Sequence, residues 1–174
     1  MKSRLDLIKL SDYKRSWNKS IKKWLGHANV PKDFLSRVDL PNHVSVFVLL
    51  MRIRRVLYDI YGTKRDKAES FSDSRFASFP QILNRGMISC GALATVYGKT
   101  LRRFGIPIKF VHGKLQGQNF ESRHAWLKIY DPIEKKWITA DPTIGDFELS
   151  KKAIQKKIYI DWSDLKKDYL LGKF

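Results

Sequence analysis

The sequence predicts an α+β protein, with helices first and an antiparallel sheet after them. Three observations carry that expectation. Apolar residues recur at three-and-four spacing as far as Phe104, which is the period of a helix. Beyond Gly105 the period becomes two, which is the period of a strand. Asp131 and Pro132 then separate two alternating runs that can fold back on one another. A chain of 174 residues can bury a core of its own without disulfides or metals. Its 43% hydrophobic and 13% aromatic content excludes overall disorder.

In chain order, Tyr13, Trp17, Ile21, Trp24 and Leu25 form a helical apolar stripe among Lys14, Arg15, Lys19, Lys22 and Lys23. After Pro31 and Pro41, Val44 to Tyr61 reads as a long helix buried over most of its circumference, stopped by Gly62. Thr63 to Ser78 reads as a polar loop carrying Phe71 and Phe76. A short helix follows, capped by Ser78, with Ile82 and Leu83 inside and Gly86 ending it. Leu93, Val96, Tyr97, Thr100, Leu101 and Phe104 mark a helix starting at Ser89. Ile106, Ile108 and Phe110 alternate as a first strand, and Gly113 to Arg123 reads as a polar loop. Ala125, Leu127 and Ile129 make a second strand, and Trp137 to Ala140 a third. Lys157 to Asp161 adds a further strand, and Leu165, Tyr169 and Leu170 a last short helix. No internal repeat is present.

Lys and Arg total 34 against 17 acidic residues, a net charge of +17. The excess is +10 over residues 1–67, +3 over residues 68–148 and +4 over residues 149–174, so it gathers at the two ends. Such ends predict weak binding to polyanions such as nucleic acid, acidic protein or anionic lipid. No apolar run is long enough to cross a membrane, and Asp6 and Lys9 interrupt any apolar signal core near the start. A single cysteine allows no intrachain disulfide and suits a reducing compartment. The expectation is a soluble, cytoplasmic, single-domain protein.

Chemistry concentrates on three residues. Cys90 falls in the first turn of the Ser89–Phe104 helix, where the dipole and unpaired N–H groups favour a thiolate. His124 opens one strand and Asp141 closes the next. If Tyr130 faces Lys135 across a four-residue loop, Asp141 stands opposite His124 on the same face of the hairpin, and a two-residue slip leaves them diagonal neighbours. The carboxylate then orients the imidazole, whose other nitrogen serves the sulfur. Taken singly, each has a structural reading: a buried free thiol, a histidine at a strand end, an aspartate opening the Asp141-Pro142 turn. The residue types also permit a metal site, although no HExxH or close ligand pair supports one.

The stretches SCGALATVYGKTLRRFGIPIKFVHG, HAWLKIYDP and KWITADPT resemble the transglutaminase-like superfamily over about residues 81–145. The resemblance implies a papain-like α+β core, with Cys90 as nucleophile, His124 as base and Asp141 as orienting acid. It implies no cofactor, and no paired CxxC motif or acidic calcium loop is present to suggest a zinc-bearing or calcium-dependent member. One domain over residues 1–174 is expected, with a basic helical portion at 1–62, the catalytic core at 81–145 and a C-terminal extension at 149–174. No oxyanion donor beyond the Cys90 N–H is assigned, and the upstream amides Gln81 and Asn84 read as surface residues. The leading function is cysteine acyl transfer on a protein or peptide, as a protease or amidase passing through a thioester, with amine transfer using the same residues. The alternative is a degenerate transglutaminase-like module that docks an anionic partner.

Overall fold

A computed structural model describes residues 4–15, 28–61, 78–86, 89–117, 121–143 and 157–161. Among the described residues, the helices are α1 (Arg4–Leu7), α2 (Leu10–Arg15), α3 (Lys32–Val38), α4 (Val46–Tyr61), α5 (Phe79–Arg85) and α6 (Cys90–Arg103). Four strands follow: β1 (Ile108–Gly117), β2 (Glu121–Asp131), β3 (Lys136–Ala140) and β4 (Lys157–Asp161). They form one antiparallel sheet in the order β3-β2-β1-β4. The α+β expectation holds, helices first and sheet after.

α6 lies across β1 and β2, and α1 and α3 pack on α4. The core runs continuously from Val46, Leu49, Leu50 and Ile53 of α4 through Val96 and Leu101 of α6 to Ala125, Leu127 and Ile129 of β2. Phe34 and Phe79 meet edge to face at 5.1 Å, tying α3 to α5. The N-terminal helices also hold the β2–β3 turn. Tyr13 donates its hydroxyl to the Tyr130 carbonyl at 2.8 Å, and Arg4 Nε reaches Asp131 Oδ2 at 2.7 Å.

Both helices around the chemical stretch start and stop as their sequences direct. Ser78 and Gln81 exchange side-chain-to-backbone hydrogen bonds in a capping box, and Gly86 ends α5 at φ 65°, a left-handed conformation that favours glycine. Ser89 is extended and accepts from the Ala92 N–H at 3.3 Å, so α6 begins on the next residue.

Three expectations need correction. α4 starts at Val46 rather than Val44 and is amphipathic: Val46, Leu49, Leu50, Ile53, Val56 and Leu57 are buried, while Met51, Arg52, Arg54, Arg55 and Tyr58 are exposed. Most of Gly113 to Arg123 is strand, not loop. β1 continues to Gly117, paired with β2 as far as Gln116 opposite Glu121 and with β4 from Gly113 onward. Backbone pairing on both edges sustains a polar sequence there.

The third correction is to the hairpin register. Asp131 faces Lys136 and Leu127 faces Ala140, a shift of two from the expected pairing. The cause is the Asp131 side chain. Its Oδ1 accepts from the N–H groups of Ile133 and Glu134 at 2.8 and 3.0 Å, and Lys135 turns the corner at φ 52°. The loop is therefore Pro132–Lys135, one residue later than expected.

The expected stripe from Trp17 to Leu25, the Gly62 stop, the loop bearing Phe71 and Phe76 and the last helix near Tyr169 lie outside the described residues. Among the described residues no helix is long and apolar enough to cross a membrane.

Candidate active site

Cys90 is the first residue of α6 and is half-buried. Its sulfur meets the His124 side chain and the backbone N–H groups of Ala125 and Gly91. The hydrogen bond from His124 pulls the thiol below its ordinary pKa; burial opposes it, and the two N–H donors and the imidazolium charge add to the lowering.

β2 carries His124 to the same place from the sheet side. Nε2 of the ring lies 2.6 Å from Asp141 Oδ2. The register places the pair as diagonal neighbours rather than directly opposite, a separation that side chains of this length span. The Asp141 side chain has no exposed surface, and its Oδ1 accepts the Thr143 N–H at 2.9 Å, so neither oxygen is left to rotate. With Nε2 committed to the carboxylate, Nδ1 is the ring atom left for the sulfur.

Burial by itself would push the His124 pKa down. The hydrogen bonds to Asp141 and Cys90, with the charges of both, outweigh it and raise the value to about 9. A lowered thiol beside a raised imidazole favours the thiolate–imidazolium pair over the neutral one.

The three sequence-predicted residues are thus together, with His124 in the middle. Cys90 and Asp141 address different nitrogens of one ring and do not converge on a point, as metal ligands would. Among the described residues no group of three or more His, Cys, Asp or Glu side chains is placed to hold a metal ion.

Sequence reasoning missed two contributors. Trp126, buried two residues after His124, stacks on its ring at a centroid distance of 6.1 Å and an angle of 20°. The strand period of two places it on the same face, so alternation from His124 could have found it. The Ala125 N–H, which reaches the sulfur, carries no signal in side-chain identity. Gln81 is exposed and held in its capping box, in line with its reading as a surface residue.

Similar solved structures include the following two. One is a candidate cysteine protease from Cytophaga hutchinsonii, 16% identical, over 87% of this chain and 50% of that one, with a TM-score of 0.48. The other is the periplasmic domain of TgpA from Pseudomonas aeruginosa bound to ethylmercury, 20% identical, over 68% of this chain and 51% of that one, with a TM-score of 0.34. This chain spans about half the length of either. No curated protein matches it. The family model of the transglutaminase-like superfamily core matches residues 49–142. That stretch begins inside α4, well before the motifs at residues 81–145, and ends just after Asp141. It covers just over half of the 174 residues, and the chain belongs to the transglutaminase-like superfamily.

Proposed function

We propose that the protein is a cysteine acyl-transfer enzyme acting as a hydrolase on an amide bond of a protein or peptide, with Cys90, His124 and Asp141 as nucleophile, base and orienting acid. The observation that carries this reading is the chain of contacts from the Cys90 sulfur through the His124 ring to the buried Asp141 carboxylate, closed at 2.6 Å.

The thiolate attacks the amide carbonyl, forming the S–C bond and placing negative charge on the carbonyl oxygen. The backbone N–H of Cys90, at the start of α6, is a donor for that oxyanion. His124 passes its proton to the leaving nitrogen as the C–N bond breaks, and a thioester remains. Neutral His124 then takes a proton from water, whose hydroxyl attacks the thioester and releases the acid and the thiolate. Asp141 stays ionised and stabilises the imidazolium at both stages.

Hydrolysis and amine transfer use the same residues, and hydrolysis needs only water as the second nucleophile. The charge of +17 adds a docking role at the basic ends, where an anionic partner or substrate region would be held. A lone thiol needs no oxidising compartment, and the cytoplasm is the location that fits it.

The test is mass spectrometry of a peptide mixture incubated with wild type and with Cys90→Ala, in the presence of a primary amine. Cleaved peptides with wild type alone are expected. Amine-modified products without cleavage would replace hydrolysis by transfer, and no product would favour a binding module.

A further inference from the structure

A cavity of about 190 Å³ lies between the first turns of α6 and the start of β1, lined by Gly91, Ala94, Thr95, Phe110, His112 and Trp126 among others. Gly91 and Ala125 line it too, and theirs are the backbone N–H groups that reach the Cys90 sulfur. The cavity therefore opens beside the nucleophile. We propose that it receives one medium-sized or large apolar side chain of the acyl donor, at or next to the residue whose carbonyl Cys90 attacks. This rests on the nucleophile reading of Cys90 and adds the substrate class.

The lining sets the chemistry. It carries no carboxylate and no ammonium or guanidinium group. The Thr95 hydroxyl is already used, donating to the Gly91 carbonyl at 2.8 Å. His112, at the exposed end, is its one titratable side chain. A polar substrate group inside would give up water for few partners, whereas an apolar one gains from burial. Size sets the rest. An apolar cavity of about 150 Å³ takes up a benzene ring, so this one admits a Leu, Met or Phe side chain.

The far wall is built for a fixed depth. The Phe110 ring lies against α6 at Gly98, where a Cβ would stand 2.5 Å from its Cζ. The Arg102 guanidinium covers the ring at 5.0 Å from its centroid. Glycine at 98 thus lets the tip of the ring come up against the helix and close the cavity. β4 pairs with β1 only from Gly113 onward, so among the described residues no strand covers that edge of β1 at Phe110 to His112, and a substrate can approach there.

The probes are acetyl-dipeptidyl chloromethyl ketones, in which the Cys90 sulfur bonds to the methylene carbon as chloride leaves. Gly, Leu or Phe is placed in turn at the residue bearing the ketone and at the one before it. Each labelling rate is divided by the rate with iodoacetamide, which has no side chain, so that any general loss of sulfur reactivity cancels. At one of the two positions the Leu or Phe probe is expected to exceed the Gly probe by about 10- to 100-fold. Thr95→Phe should abolish that preference by filling the cavity. Phe110→Ala, at a partly exposed site, should shift it toward Phe by opening the far wall. Equal ratios for Gly, Leu and Phe in a wild type whose Cys90 still reacts rapidly with iodoacetamide would overturn the cavity assignment alone. Slow iodoacetamide labelling, at the rate of a model thiol, would overturn the nucleophile reading and the cavity assignment with it.

Discussion

Both oxygens of Asp141 are engaged, Oδ2 by His124 and Oδ1 by the Thr143 N–H, and the side chain is fully buried. If Asp141 is the orienting acid, its charge can therefore be removed without disturbing its place in the fold. In Asp141→Asn a carbonyl oxygen still accepts from Thr143, but the imidazolium loses its counter-charge. Turnover should fall about 10²- to 10⁴-fold with the fold kept, as peptide cleavage and thermal melting would report. The His124 pKa, about 9 in the wild type, should also fall, since the carboxylate is what chiefly raises it. The alkaline limb of the activity profile then moves to lower pH. An unchanged limb would mean that Asp141 has no hold on the histidine. At this scale the sequence was informative: helix-start spacing located Cys90, and hairpin pairing brought His124 to Asp141 even with the register two residues off. Backbone donors such as the Ala125 N–H were invisible, because every residue except proline has one.

Among the elements, the β2–β3 turn shows why a register is hard to read from a sequence. Asp131-Pro132 announced a turn, but its length depends on which backbone groups the Asp131 side chain ties and on Arg4, more than a hundred residues away. Arg4 and the two N–H donors hold the Asp131 carboxyl below the ordinary carboxylate range, although burial pushes the other way. A lowered folded pKa contributes stability that is fully present above the unfolded value, near 3.9, and lost as pH falls through the folded one. Asp131→Asn should therefore cost about 1.5–3 kcal/mol at neutral pH. The gap in melting temperature from wild type should close as pH drops below about 4. A gap that stays constant into acid would show that the ion pair does not stabilise the turn. The one-sided burial of α4 and the length of β1 are hidden in the sequence for a related reason. Dense Val, Leu and Ile in α4 concealed which face meets the core, and polar residues of β1 are held by strands on both edges, a tertiary fact.

For the whole molecule, the family match reaches back into α4, where none of the motifs that carry the family resemblance lies. α4 instead supplies apolar residues to the core that runs on through α6 to β2, the two elements that bring Cys90 and His124 together. Motifs report chemistry, and a supporting helix has none to report. The charge excess lies mainly outside residues 81–145. Retention on heparin should accordingly fade steeply with salt, as counterion release requires. Reversing Lys19, Lys22 and Lys23 should weaken it while thiol reactivity stays the same. Retention indifferent to salt would dissociate the +17 from binding.

Whether Cys90 is a nucleophile activated by His124 is read from the rate of its alkylation by iodoacetamide against pH. Alkylation at pH 6 to 7 should run far faster than that of a free thiol, whose pKa is about 8.5, because His124 lowers the Cys90 pKa. A plateau should follow, giving way to a second inflection near pH 9 as the imidazolium titrates. In His124→Ala the second inflection should vanish, and the first should move up toward that of a free thiol. A wild-type profile that follows a model thiol, unmoved by His124→Ala, would make Cys90 an ordinary thiol and not a nucleophile.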